Sequence, residues 1–214
     1  MIDYKFSYFR KPITNRIPYK SIAINDLFKA IRGDYYRSAT LEARKVKEAS
    51  TGEYRAFKAE NFDYVTFAGE FQNRSRDGLI RPSGLMCLDI DHEPTEERMQ
   101  ALKRYVILDD NLDVRMIFRS PGGDGWKIII RNPLHEIDYS QAYKRIKKYF
   151  WKTFACEIDN TSDISRACFV CWDPEVWICQ DEYLKTLSKK NPALNKLIET
   201  LDLELIKPTH EKIN

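Results

Sequence analysis

Aromatic and polar residues alternate through YKFSYF (4–9), the pattern of a half-buried strand, which stops at Lys11-Pro12. The apolar positions Ile22, Leu27, Phe28 and Ile31 then fall on one side of a helix, with Ser21 as its expected cap and Gly33 as its stop. A second helical stretch runs from about Tyr35 to Glu48 and closes at the Ser50-Thr51-Gly52 turn. FDYVTFAGEF (62–71) reads as a strand bent at Gly69, and 74–83, with Gly78 and Pro82, as a polar loop.

A more regular rhythm follows. GLMCLDID (84–91) is an apolar strand with acids at its end. Pro94 and Glu96-Glu97 open a helix to about Val106, the acids lying where the helix dipole favours them. DVRMIFRS (113–120), the turn PGGDG (121–125) and WKIIIR (126–131) predict two strands joined by a tight turn. Asp138 caps a long helix that carries Tyr143, Ile146 and Phe150 near one face. RACFVCW (166–172) is a last strand, and a C-terminal helix from about Asp181 to Leu201 precedes a polar tail.

Strand–helix–strand–strand–helix–strand over 84–172 is the order of a ferredoxin-like, RRM-like βαββαβ core. The expected fold class is therefore α+β. A basic N-terminal α/β part (1–83) packs on the core (84–180), with a C-terminal helix and tail (181–214), as one compact domain. Right-handed crossovers give the sheet order 4-1-3-2. That order sets the end of strand 1, the start of strand 3 and the start of strand 4 side by side. Those places hold Asp89 and Asp91, Gly123 to Lys127, and Asp159 to Arg166.

Composition adds to this picture. The 12 Tyr, 11 Phe and 4 Trp build a core and exclude intrinsic disorder. No run reaches the roughly 20 apolar residues a membrane span needs, and the start MIDYKFSYFRK lacks the apolar stretch of a signal peptide. Five cysteines fit reduced thiols, so a cytoplasmic protein without membrane association is expected. The net charge of +3 hides a gradient: residues 1–58 hold 13 basic against 6 acidic side chains, and residues 59–130 hold 9 against 13. A basic first quarter (Arg10, Lys11, Arg16, Lys20, Arg44, Lys45, Lys47) beside an acidic middle suits a polyanion-binding arm next to a metal site, or a set of solvated faces.

Asp89 and Asp91 are two apart, so on a strand both point to one face. Such carboxylates repel unless a cation sits between them, and their hard oxygens suit Mg²⁺ or Mn²⁺. Ser120-Pro121-Gly122-Gly123-Asp124-Gly125 is a glycine-rich turn whose amides can cradle phosphate, with Lys127 as a point charge. It is no Walker loop, because a strand follows it. Asp159 is a candidate third metal ligand and Arg166 a candidate phosphate clamp, while Asp163 suits an Asx-turn equally well.

These segments resemble the archaeo-eukaryotic primase (primase-polymerase) superfamily, whose members show an hhhDhD strand, a glycine turn entering a strand, and a third acidic motif. Here the counterparts are MCLDID, SPGGDGWK and EIDN. The chain looks most like the primase-like N-terminal domain of virulence-associated E (VirE) type proteins, through DYVTFAGEFQNR, LIRPSGLMCLDIDH, SPGGDGWKIIIR and IDNTSDISRACFVCWDP, over roughly residues 50–180. The resemblance implies a nucleotidyltransferase in DNA replication or priming of a mobile element or phage-like system. It would use two Mg²⁺ or Mn²⁺ ions on Asp89, Asp91 and Asp159, with nucleotide triphosphates, single-stranded DNA and a helicase as partners. Catalytic roles would fall on Asp89, Asp91 and Lys127, and nucleotide binding on Ser120, Gly122, Gly123, Gly125, Lys127 and Arg166. Members of the superfamily place histidine where this chain has Lys127, and no helicase segment follows, so a helicase would act in trans or belong to a longer chain.

Other readings carry less. Cys168 and Cys171 form a CxxC, but inside an apolar strand, where free cysteines are small hydrophobes rather than zinc ligands. His92 suits a turn cap better than a metal or phosphate ligand, and of Trp126, Trp172 and Trp177, which could stack bases, at least two suit the core better. Lys144, Arg145, Lys147 and Lys148 form the polar face of a helix. Two competing functions stay open: a module of the same fold that binds single-stranded DNA or a helicase without catalysis, and a metal-dependent nuclease. A nicking nuclease usually needs a paired-histidine motif, which this chain lacks.

Overall fold

The computed structural model describes residues 4–91, 93–132, 138–179 and 193. The N-terminal part contains β1 (Lys5–Phe9), β2 (Lys20–Ala23), α1 (Ile24–Arg32), α2 (Arg37–Ala49), α3 (Thr51–Asn61), β3 (Tyr64–Thr66), β4 (Gly69–Phe71) and β5 (Leu79–Pro82). The remainder contains β6 (Leu85–Ile90), α4 (Glu96–Leu108), β7 (Val114–Arg119), β8 (Trp126–Arg131), α5 (Tyr139–Phe154), β9 (Cys168–Phe169) and β10 (Trp177–Ile178). The fold is α+β, with sheets ordered β2-β1-β3-β9, β10-β7-β8-β6 and β4-β5.

The second of these sheets organises the molecule. β6 pairs antiparallel with β8 from Leu85–Arg131 to Ile90–Trp126, and β8 pairs antiparallel with β7. All six residues of β6 are buried, because both faces of the strand are covered. Met86, Leu88 and Ile90 pack against α4 and α5 through Met99, Leu102, Val106, Tyr143 and Phe150. Leu85 and Cys87, on the opposite face, join a core with Phe6, Val65 and α1 residues Leu27, Phe28 and Ile31. A strand buried on both sides reads as a nearly continuous apolar run, and LMCLDI is one, broken only by Asp89.

The 1-3-2 part of the expected order is present as β6-β8-β7. The fourth strand differs. Cys168–Phe169 pairs with Tyr64 and Val65 of β3, in the N-terminal sheet, rather than with β6. The place beside β6 goes to the irregular segment around Asp159, whose N–H donates to the Asp89 carbonyl at 3.0 Å. Cys156 and Ile158 supply the buried apolar groups there, whereas Cys168 and Val170 pack in the core that the N-terminal elements share. Apolar burial thus selects the segment before the predicted strand to cover that edge.

Smaller differences concern helix ends. Ser21 lies in β2, opposite Ser7 of β1, and α1 starts after Ala23. Ser50 does not end the helical region but caps α3, its Oγ accepting from the Glu53 N–H at 3.4 Å. Asp138 caps α5 as expected, accepting from Ser140 and Gln141 N–H groups. The predicted strand over 62–71 is two short strands, and the predicted loop contains β5. The C-terminal helix expected from about Asp181 and the candidate His92 lie outside the described residues, Ala193 apart. Among the described residues, no helix is long and apolar enough to cross a membrane.

Candidate functional site

Because β6 alternates faces, Asp89 points to the same side as Cys87, away from the α4–α5 layer. Its partner in the ladder is Lys127, and the two side chains form a buried ion pair. The other Asp89 oxygen accepts from Arg166 Nη2 at 2.6 Å, and the same nitrogen donates to Asp159 Oδ2 at 3.0 Å. Asp91 continues the line of β6, with Lys127 Nζ at 3.8 Å from its Oδ1. One ligand oxygen from each of Asp89, Asp91 and Asp159 lies within 4.8 Å of the others, the group of metal-ligating side chains found among the described residues.

The burial is uneven. Asp89 is 7% exposed, whereas Asp91 and Asp159 open to solvent. Burial pulls the Lys127 ammonium below its ordinary range, and the Arg166 and Lys58 charges push the same way. The Nη1 group of Arg166 is a buried donor without a hydrogen-bond partner. Tyr143 fixes the backbone of the third acid, its hydroxyl donating to the Asp159 carbonyl at 2.9 Å.

The glycine turn adjoins this cluster. A Cβ on Gly125 would collide with the Ile90 carbonyl oxygen and lie 2.9 Å from the Asp91 Cα, so only glycine lets the turn pass so close to the acids. Gly123 adopts φ +84°, a conformation that favours glycine. Its N–H donates to the carbonyl of buried Ser120 at 3.0 Å, and the Ser120 N–H donates to the Gly125 carbonyl at 2.8 Å. Arg119 braces the turn from outside: it donates to the Gly123 carbonyl at 2.9 Å and grips Glu96 of α4 with both terminal nitrogens. The three sequence clusters therefore meet at one rim.

The opposite wall comes from α2 and α3, and the sequence motifs did not reveal it. Lys47 pairs with Asp124, and a Cβ on Gly122 would lie 2.6 Å from the Tyr54 hydroxyl and 2.8 Å from Lys47 Nζ. Arg44 Nε lies 3.2 Å from the Cβ position of Gly123 and is itself a buried donor without a hydrogen-bond partner. Burial lowers the Lys58 pKa, with Asp91 opposing and Lys47 reinforcing that shift. Burial also raises the Tyr54 phenol, with Asp124 and Asp91 adding to it, so its hydroxyl stays protonated. Arg44 and Lys47 were legible only as part of a basic segment. Lys58 and Tyr54 carried no local signal, since the packing of α2 and α3 alone brings them here.

All five cysteines are free and buried. Trp126 is fully buried and donates its indole N–H to the Met99 carbonyl at 2.8 Å, so it is a core residue. Asp163 accepts from the Ser165 N–H and hydroxyl, the Asx-turn arrangement.

The α+β fold thus gathers three carboxylates, a glycine turn and buried cations at the end of one sheet. The model of the BT4734-like, N-terminal domain matches residues 57–177, more than half of the chain, and the chain belongs to that family. The match contains Lys58, Asp89, Asp91, Gly122 to Lys127, Asp159 and Arg166. Searches of curated proteins and of solved structures returned no match.

Proposed function

We propose that this chain is a primase-polymerase-like, metal-dependent nucleotidyltransferase domain acting in DNA replication or priming. The observation that carries the reading is the approach of Asp89, Asp91 and Asp159 to within 4.8 Å beside a turn that needs glycine to touch them. Three carboxylate oxygens are a donor set for Mg²⁺ or Mn²⁺. Against Lys127 and Arg166 the three acids leave the cluster net negative, which fits a divalent cation. Bound there, the metal supplies activation of an attacking 3′-hydroxyl and stabilisation of charge on the departing pyrophosphate.

The chain's own residues do the rest. Asp89, rigid on β6, orients the ion, while the more open Asp91 and Asp159 complete the set. Lys127 and Arg166 hold phosphate oxygens, and the orphaned Nη1 of Arg166 is a donor ready for such an acceptor. The Gly122–Gly125 turn lets a triphosphate approach the backbone, and Arg44, Lys47 and Lys58 supply positive charge from the facing wall. The resemblance to primase-polymerases, the order of the motifs and this geometry support the same reading.

One observation favours a second reading. Both oxygens of Asp89 are already held by Lys127 and Arg166, a self-neutralised arrangement that suits a module binding single-stranded DNA or a helicase without catalysis. Labelled-nucleotide incorporation on a single-stranded template, with Mn²⁺ or Mg²⁺, separates the two. The proposal expects incorporation by the wild type and its loss in Asp89→Ala/Asp91→Ala. Incorporation that survives the double substitution refutes the site. No incorporation by the wild type, with salt-sensitive DNA binding retained, selects the second reading.

A further inference from the structure

A cavity of about 580 Å³ lies away from the acid cluster, between the β1–β2 connection, α1 and the turn at Asp34–Tyr36. Its floor is built with unusual order. Asp63 accepts from the hydroxyls of Tyr8 and Tyr36, and from the Lys11 N–H at 2.9 Å. Burial raises both phenols well above their ordinary range and Asp63 adds to both; Tyr8 raises Tyr36 further, while the Tyr36 hydrogen bond partly offsets the rise at Tyr8, and both hydroxyls remain protonated donors. The carboxylate is thus fully occupied inside the protein.

The rim has the opposite character. Tyr19 is 55% and Tyr35 82% exposed, an uncommon use of large aromatic rings in a folded chain. The Arg10 guanidinium lies 4.0 Å from the centre of the Tyr19 ring, and Lys20 stands 5.9 Å from that of Tyr8. Arg10, Lys11 and Lys20 are exposed at this cavity, and among the described residues none of the three makes an ion pair with a carboxylate. The one other acid lining it, Asp26, faces Lys29 at 3.8 Å. Exposed rings interleaved with cations that have no carboxylate partner form a surface for stacked bases and flanking phosphates.

We infer that this cavity is a binding site for single-stranded nucleic acid, in which bases stack on Tyr19 and Tyr35 and Arg10, Lys11 and Lys20 neutralise the phosphates. The inference rests on the nucleic-acid reading above for its ligand class and adds where the strand is held. One backbone hydrogen bond connects the floor of this cavity to the segment that carries Arg166. The Asp63 carbonyl accepts from the Val170 N–H at 2.9 Å, and Val170 is four residues beyond Arg166, at most roughly 14 Å of chain.

Fluorescence anisotropy of a labelled oligothymidylate of about 20 nucleotides, added to the full chain without nucleotide or metal, tests this. Tyr19→Ala/Tyr35→Ala is expected to weaken binding by roughly tenfold or more, the size of lost base stacking. Lys11→Ala/Lys20→Ala is expected to reduce the salt slope by about 1.4, for two single-strand phosphate contacts. Lys144→Ala/Lys148→Ala, which removes the same charge from an exposed face of α5, serves as the control and is expected to change affinity less than twofold. Because binding is read without nucleotide or metal, failure of the transfer reaction and failure of this site are distinguishable. No binding by the wild type, unchanged affinity in the tyrosine variant, equal loss in the α5 control, or preference for a duplex competitor would each overturn the inference.

Discussion

Lys127 faces Asp89 across the antiparallel β6–β8 ladder, and the two form a buried ion pair whose carboxylate also accepts from Arg166 at 2.6 Å. One backbone register therefore places a charge pair inside the core that lies between the two larger sheets. A buried charge that loses its partner is costly, whereas removing both partners is much less so.

Lys127→Met is accordingly expected to lower unfolding free energy by about 2–4 kcal/mol, somewhat eased by Arg166. Asp89→Asn/Lys127→Met should cost clearly less than the sum of the two single changes. Denaturant unfolding of the four proteins measures this. Strict additivity would show that the pair is not coupled.

Glycine substitutions should differ in sign along the chain. A Cβ at Gly125 meets the Ile90 carbonyl, so Gly125→Ala is expected to destabilise by roughly 1–3 kcal/mol. Gly52 lies in the first turn of α3 with only Ser50 Oγ near, at 3.9 Å, and Gly52→Ala is expected to stabilise by about 0.5–1 kcal/mol. Thermal unfolding of both variants reads the contrast directly.

How far such positions could be seen in advance depended on whether their cause was local. The alternation around Asp89, the glycine turn and the Asp138 cap depend on neighbours in the chain, and each was legible there. The place of Cys168–Phe169 was not, because β3 and β6 both offer an edge and only the burial of Ile158 and Val170 decides between them. Ser21 looked like a cap because serine suits both a helix start and an edge strand. α3 was hidden by Gly52 and by a weakly two-sided sequence, so Tyr54 and Lys58 could not be assigned to the site before α2 and α3 were packed.

The Glu96–Arg119 contact gives a pH signature. The paired nitrogens of Arg119, with help from Gln100, hold the Glu96 carboxyl down at about 2, against an ordinary value of 4.5. A carboxylate depressed in the folded state stabilises the protein above the unfolded value and loses that contribution as pH falls from about 4.5 toward 2. Glu96 is half exposed, so solvent screening keeps the effect to roughly 0.5 kcal/mol. The stability gap between the wild type and Glu96→Gln should be present at neutral pH and close near pH 2. A gap that widens on acidification would contradict the sign.

Thiol chemistry offers an independent check on the core. All five cysteines are buried, and burial together with Glu93 pushes Cys156 up to about 12. An aromatic disulfide reagent should leave the native protein unlabelled at mildly alkaline pH and react with all five thiols once denaturant is added. Rapid labelling of the native chain would show that the two cores are less closed than described.

The central claim is that Asp89, Asp91 and Asp159 hold a divalent cation, and electron paramagnetic resonance of Mn²⁺ tests it most directly. Titration of the chain should show loss of the free-ion signal with the wild type, weaker loss with Asp159→Ala, and none with Asp89→Ala/Asp91→Ala. Equal Mn²⁺ binding by wild type and double variant, or none by either, would contradict the account.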